Sequence, residues 1–391
     1  MASCLLGVLL VCPAAHATEL EVTRLDGRTI QGRLVQLTPE IILASSGEDT
    51  ALTWAEVLSL RPLDIQTAAM RVAEDAPLRF ELADGSVFAG RIDNATDRGF
   101  TVRFRSDRTC RLDPSMLQAI RATSASAAGR AKLAEASAQL KGSEDIAVIE
   151  RGSQVVVLRG VVRQISSARV RFAWEERELD LPWQRLVGLC FARPIPRRAS
   201  CMVRLHSGDV FGGRVVAGDD TTVALQSGVF DRLELPWADI ERVECHSERL
   251  TYLSDLVPVR YDFTPFFQKH WNYAYNSTLT GRPIRLAGRR FASGVTMHSR
   301  SALVYAIDGR YRQFAAVVGV VDEMADRGDV TLAIVGDGRV LWEARHVRGG
   351  EKPRDVLVDV TGVREFSLHV DFGDGLDLSD HACWALARLI R

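Results

Sequence analysis

Short runs of alternating apolar and polar residues, broken by Asp-Gly or Ser-Gly pairs, fill the first two thirds of the chain. Leu25-Asp26-Gly27, four residues and then Gly32-Arg33 recurs as Ala83-Asp84-Gly85 with Gly90-Arg91, and again as Ser207-Gly208 with Gly213-Arg214. Alternation on both sides of a glycine turn marks a β-hairpin, because glycine admits the positive φ of a tight turn. A second pattern closes each block. Leu52-Thr53-Trp54 runs on to Val57-Leu58, Leu112-Asp113-Pro114 to Leu117 and Ile120, Leu181-Pro182-Trp183 to Leu186-Val187, and Leu235-Pro236-Trp237 to Ile240 and Val243. The third block is the most divergent, with Asp145 to Ile149 as its first strand and Gly160 as its second glycine. Self-similarity of this kind predicts four small β units, at 18–62, 78–121, 143–191 and 201–246. Residues 122–142 are rich in alanine and poor in glycine and predict a helical linker, with a shorter connector over 63–77. The fixed place of Trp54, Trp183 and Trp237 beside the closing strand favours packing over ligand binding.

From Tyr252 the alternating segments lengthen: Ala302–Asp308, Phe314–Val321, Val330–Val335, Val356–Val360 and Glu365–Phe372. In the last, Phe366, Leu368, Val370 and Phe372 share one face, and Ser367, His369 and Asp371 the other, as in a half-buried antiparallel strand. Several such strands over 247–391 predict a two-sheet sandwich. The fold class is therefore all-β. The four small units resemble SH3-like or Sm-like barrels in topology, and such barrels are common adaptor modules.

The residues of the C-terminal segment resemble the NPCBM family of carbohydrate-binding modules. Tyr252-Leu253-Ser254-Asp255-Leu256 is similar to the family's opening, and Gly281-Arg282-Pro283-Ile284 with Gly288 to its Gly-x-Pro-Leu and Gly-Gly pair. Gly294-Val295-Thr296-Met297-His298-Ser299-Arg300-Ser301 resembles the Gly-x-x-x-His-Ala-x-Ser signature. Tyr305, Asp308-Gly309, Tyr311, Phe314 and Val318-Gly319-Val320-Val321-Asp322-Glu323 continue the series in order. So do Gly328-Asp329-Val330, Asp337-Gly338, Val358-Asp359-Val360 and Asp374-Gly375. Asp380-His381-Ala382-Cys383-Trp384-Ala385 resembles the closing motif. The resemblance, over about 252–391, implies a galactose-binding-like (jelly-roll) sandwich of the kind appended to secreted proteins, often glycoside hydrolases. Cys383, Leu386 and Val321 stand where the family often has acids, which puts any ligand role of those carboxylates in doubt.

Charge and cysteine content narrow the function. The 49 basic residues nearly cancel the 50 acidic ones, so no net field draws the chain to nucleic acid. The basic residues are arginines apart from Lys132, Lys141, Lys269 and Lys352, and they are spread evenly. An apolar stretch from Met1 to Cys12, then Ala15-His16-Ala17, predicts a signal peptide over 1–17. No later segment reaches the roughly 18 apolar residues of a membrane-spanning helix. The expectation is export, to a periplasm or the extracellular space. Of the cysteines beyond that leader, Cys110, Cys190, Cys201, Cys245 and Cys383, none forms a CxxC pair. If the first and last strands of the fourth unit pair, Cys201 and Cys245 become neighbours, and export would allow a disulfide.

Sugar recognition needs a flat aromatic for the apolar sugar face and fixed polar groups for the hydroxyls. The segment from Tyr261 through Phe263, Phe266-Phe267, His270-Trp271, Tyr273 and Tyr275 is unusually aromatic, and a loop presenting Trp271 or Tyr273 would supply that surface. The alternative is an apolar lid over the sandwich edge. His298 and Arg300 of the glycine-led motif, Asp322 and Glu323 at a strand end, and His381 and Trp384 of the closing motif complete the candidate set. For His381 and Trp384 a buried, hydrogen-bonded pair is favoured. Asp371, Asp374, Asp377 and Asp380 crowd around two glycines. Calcium is the ion such a loop would take, although the spacing is not that of an EF-hand and solvated turn acids are the simpler account. No cofactor is required. Asp371-Phe372-Gly373 and Arg327-Gly328-Asp329 lack the context of the kinase and adhesion motifs they mimic, and no nucleophile elbow, HExxH helix or Walker loop occurs. The sequence thus reads as an exported, non-enzymatic protein whose sandwich binds a glycan or glycosylated surface and whose repeats act as spacers or docking units. The alternatives are an assembly protein whose β modules bind other envelope proteins and a carbohydrate-active enzyme with an unrecognised site.

Overall fold

The computed structural model describes residues 18–45, 48–63, 76–96, 99–104, 108–140, 142–152, 154–192, 199–266 and 269–391. The expected leader over 1–17, most of the 63–77 connector and Phe267 lie outside them. The described chain is all-β apart from one α-helix and short 3-10 turns, and no described helix is long and apolar enough to cross a membrane. It divides into two compact units, the second made of Ser247–Arg391 with Thr23–Ile30 and Ala55–Leu58.

Four successive sets of five strands run through residues 19–245. They are β1–β5 (Glu19–Arg24, Thr29–Gln36, Ile41–Ser45, Glu48–Leu52, Val57–Pro62) and β6–β10 (Leu78–Leu82, Val87–Thr96, Gly99–Phe104, Arg108–Leu112, Leu117–Ala122). After α1 (Ala127–Ala138) come β11–β15 (Asp145–Arg151, Gln154–Ile165, Arg169–Trp174, Arg177–Pro182, Leu186–Cys190) and β16–β20 (Cys201–Leu205, Val210–Gly218, Thr222–Gln226, Leu233–Pro236, Ile240–Cys245). Within each set the order is fifth, first, second, third, fourth.

The second strand of every set serves two partners, the first strand with its start and the third with its end. Its register shifts at Leu34/Gln36, Ile92/Asn94, Val162/Gln164 and Val215/Ala217, always just past the repeated glycine. A bulge there bends the strand from one partner to the other. The glycine is required by the close approach at that bend. A Cβ on Gly32, Gly90, Gly160 or Gly213 would lie 2.7, 2.7, 2.0 or 2.8 Å from the backbone oxygen of Ala44, Arg103, Ala173 or Gln226. The repeated tryptophans are structural as well. Their indole N–H groups donate to the turn after the second strand, Trp54 to Leu37 O (3.2 Å), Trp183 to Ser166 O (2.8 Å) and Trp237 to Asp219 O (2.9 Å).

The sets join through equivalent strands. β5 meets β20 about Leu60 and Val243, β10 meets β15 about Ile120 and Leu189, and β7 meets β17 at Val87 and Val210. Each junction is a local pseudo-two-fold, and the resulting order is first, fourth, second, third. At the β7–β17 junction the same bond is made in both directions. Gly212 N–H donates to Ser86 Oγ (2.9 Å) and Ala89 N–H to Asp209 Oδ1 (3.1 Å), while Phe88 stacks on Phe211 at 5.4 Å. The Ala-rich segment is not a free linker. Ser126 caps α1 by accepting from Gly129 N–H (2.9 Å), and Leu133 and Ala136 pack on Ala119, Ile146, Val148 and Val187. Cys201 lies directly opposite Cys245, with the sulfurs 3.8 Å apart.

The C-terminal strands are β21 (Leu250–Tyr252), β22 (Arg260–Phe263), β23 (Ala274–Tyr275), β24 (Ile284–Leu286), β25 (Arg289–Phe291), β26 (Gly294–His298) and β27 (Ser301–Ala306). They continue as β28 (Gln313–Val320), β29 (Asp329–Gly336), β30 (Arg339–Arg348), β31 (Arg354–Asp359), β32 (Glu365–Phe372) and β33 (His381–Ile390). One sheet runs β23-β26-β33-β28-β31, with β21 also on β33, and the other β22-β27-β32-β29-β30. Their facing sides bury Val295, Met297, Leu303, Phe314, Val330, Leu368 and Trp384 in a common core. β33 pairs with both β26 and β28 and is buried along nearly its whole length, so its first residue is a fixed point.

Candidate functional site

That fixed point is His381, which the β26–β33 register sets directly opposite His298. The two rings lie 5.4 Å apart, and both residues are buried. Trp271 covers them. Its indole stacks on His298 at 5.1 Å with planes 7° apart and meets His381 edge-on at 5.0 Å. The backbone behind it is held too, since Tyr261 OH donates to Trp271 O at 3.0 Å. Tyr261, Tyr273 and Tyr275 continue the aromatic wall at 5.1 Å spacings, with Phe263 against His270 and His298. The exposed Lys269 ammonium lies 3.6 Å from the indole centroid.

The electrostatics keep both imidazoles neutral. His298 Nδ1 bonds the Ser299 carbonyl, so that nitrogen carries the proton and Nε2 is left as an acceptor. Burial lowers the His298 pKa. Burial, then the neighbouring His298, pulls His381 down to about 4. His381 Nδ1 has no hydrogen-bond partner among the described residues and lies 3.8 Å from Glu323 Oε1. Glu323 sits on the turn Asp322–Met324 after β28 and accepts from Thr280 Oγ1 at 2.9 Å, with Arg282 at 3.9 Å. A half-buried indole, neutral nitrogens and a nearby carboxylate form an arrangement suited to holding a hydroxyl-bearing ring without covalent chemistry.

The expected site residues do not all converge. Trp271, His298, His381 and Glu323 come together, with Tyr273 one ring away. Asp322 instead accepts from Gly288 N–H (2.8 Å) at the neighbouring β24–β25 turn. Arg300 is exposed and reaches towards Asp371 (4.0 Å). Trp384 must be removed from the set. It is fully enclosed in the core against Trp342 and Phe314, its N–H has no partner among the described residues, and the expected bond to His381 is absent because residues three apart on a strand face opposite sides. Sequence reasoning missed Lys269, Thr280 and Arg282, which no spacing marks.

At Asp380 the acidic loop departs from both readings of it, a calcium site and solvated turn acids. Asp380 is buried, accepts from Ser299 Oγ (2.6 Å) and Asp329 N–H (3.1 Å), and is raised by burial to about 7. It pins the end of β26 to the start of β29. Asp374 meets Asp329 and His346. Arg348 already lies 3.3 Å from Asp329 and 3.7 Å from Asp374, so this group is an ion-pair cluster and does not fit a calcium ion needing several free oxygen ligands.

A provisionally named endo-alpha-N-acetylgalactosaminidase of Renibacterium salmoninarum is 24% identical over 110 residues, 28% of this chain. The match spans only 7% of that curated relative's length. A CBM51 module from a Clostridium perfringens GH95 protein, in complex with methyl-galactose, aligns over 36% of this chain and 99% of its own at 23% identity and a TM-score of 0.33. The tandem CBM51 modules of Sp3GH98, a family 98 glycoside hydrolase from Streptococcus pneumoniae, align over 81% of this chain and 89% of theirs at 14% identity and a TM-score of 0.33. Residues 249–390 match the model of the NPCBM/NEW2 domain family, and the chain therefore carries an NPCBM/NEW2 domain, a carbohydrate-binding module type, over that segment.

Proposed function

We propose that the NPCBM/NEW2 domain binds a saccharide non-covalently on the outer face of Trp271. One observation carries the reading: the indole is held by stacking on His298 and by edge-on contact with His381, while the exposed Lys269 ammonium lies over the ring. A clamped ring loses little freedom on binding, and the C–H face of a sugar replaces the ammonium at modest cost. Glu323 and Thr280 then lie within the same site for hydroxyl groups. His298 is a positioning residue in this account. The chain is exported and has no catalytic role; it delivers binding, and the four β sets hold the domain away from, or dock it to, a neighbouring component of the envelope.

A glycan-array screen of the full chain, with and without calcium, tests this. The expected result is selective retention of a small group of glycans, independent of calcium and lost in Trp271→Ala. Silence of the folded chain across a broad array would instead favour the assembly role, in which the β modules bind protein.

A further inference from the structure

Four arginines, Arg249, Arg310, Arg312 and Arg391, line a surface cavity of about 460 Å³ together with Tyr311 and Thr361. The cavity lies at the far end of the domain from Trp271. Arg391 follows β33, whose first residue is His381, so about nine residues of extended strand, roughly 30 Å, separate the two places. Arg249 precedes β21, Arg312 precedes β28 and Thr361 follows β31, so several strand ends of one sheet converge there. Backbone bonds fix their spacing: Arg312 N–H to Ile390 O (2.8 Å), Arg391 N–H to Arg249 O (2.9 Å) and Val360 N–H to Arg312 O (2.8 Å).

The charges in this cavity are unbalanced. Asp308 pairs with Arg310, but among the described residues no side-chain carboxylate lies within ion-pair reach of Arg249, Arg312 or Arg391. Two of these side chains are nevertheless held in place. Arg249 Nη2 donates to Arg391 O (3.1 Å), and the Arg391 guanidinium lies 5.6 Å from the Tyr311 ring centroid. Tyr311 is itself buried and bonds Thr251 (3.2 Å). Positive charges gathered around a concavity repel one another, and a planar fork on each offers paired N–H groups to an oxyanion. The Thr361 hydroxyl adds a further polar group at the wall.

We propose that this cavity binds an oxyanion, a sulfate, phosphate or carboxylate group carried on a small ligand, at a site separate from Trp271. The inference does not depend on the saccharide reading. Equilibrium dialysis of the full chain at low ionic strength, against labelled sulfate, inorganic phosphate and glucuronate in separate arms, tests it and ranks the three chemistries. The expected result is saturable binding of one anion per chain in at least one arm, weakened tenfold or more in Arg312→Gln and in Arg249→Gln and retained in part by Arg312→Lys. Arg345→Gln, which removes the same charge beside Glu343 elsewhere on the domain, leaves binding unchanged. Absence of saturable binding in all three arms would overturn the proposal. Equal weakening by Arg345→Gln would overturn it as well, because net charge alone would then account for the uptake.

Discussion

Replacing Gly160 by alanine puts a methyl carbon 2.0 Å from Ala173 O and 2.9 Å from Phe172 Cε1. To reach ordinary contact, β12 and β13 must part by about 1.4 Å, at the point where β12 changes partners. Overpacking of this kind costs about 1–3 kcal/mol. The stiffer unfolded chain returns about 0.4–1 kcal/mol, so a net loss of roughly 1–2 kcal/mol remains. Gly228 is the control, because its Cβ would meet nothing nearer than Met116 Cε at 3.7 Å. Gly228→Ala is expected to be neutral or slightly stabilising. Urea unfolding followed by tryptophan fluorescence measures both, and Gly213→Ala, with its contact at 2.8 Å, falls between them. The argument fails if Gly160→Ala unfolds at the wild-type urea concentration, or if Gly228→Ala loses as much.

The cross-strand cysteines give a second prediction: chain recovered from an oxidising compartment yields a Cys201–Cys245 peptide pair lighter by two hydrogens, and recovery of both as alkylated thiols would rule the bridge out. At the pseudo-two-fold between the second and fourth sets, Gly212→Arg places a long side chain against Asp84 O, 2.9 Å from its Cβ, and Ala199. It should lower the melting temperature and speed proteolysis between those sets, whereas an unchanged digestion pattern would show that the junction contributes little. Burial raises Asp380 to about 7 from 3.8, so its contribution to stability is full below about pH 4 and is lost as the pH rises through 7. Asp380→Asn removes that loss, at most about 4 kcal/mol, and thermal melts across this pH range that run parallel to wild type would contradict the assignment. His381 acts in the opposite sense. Its depressed value of about 4 means that stability falls as the pH drops from about 6.5 to 4, and His381→Gln should flatten that acid-side slope.

The recurring glycine could be read because one physical constraint places it five residues after the turn glycine in the first, second and fourth sets. The bend in each second strand admits no Cβ, so a glycine marks it four times, and even the divergent third set keeps Gly160. The indole bonds explain why tryptophan returns beside the closing strand, and the second set shows that Pro114 can stand there instead. The edge strand β30 left no such trace. Arg339, Glu343, Arg345 and Arg348 guard an unpaired edge, and their charges hide its alternation. At the site, His298 and His381 stood out because the motif resemblance marks both. The clamp on Trp271 did not, because it depends on the register between β26 and β33 and on a loop without strand period. The bond drawn between His381 and Trp384 failed for a related reason: a motif position names a residue but not the side of the sheet it faces.

The central claim is that Trp271 is the surface on which a saccharide rests. The most direct test is calorimetric titration of the best array glycan into the full chain and into Trp271→Ala, with melting temperatures recorded for both. The account predicts an affinity loss of tenfold or more, about 1.4 kcal/mol, with the melting temperature nearly unchanged. Equal affinity for the two proteins would contradict it and move the binding site elsewhere on the domain.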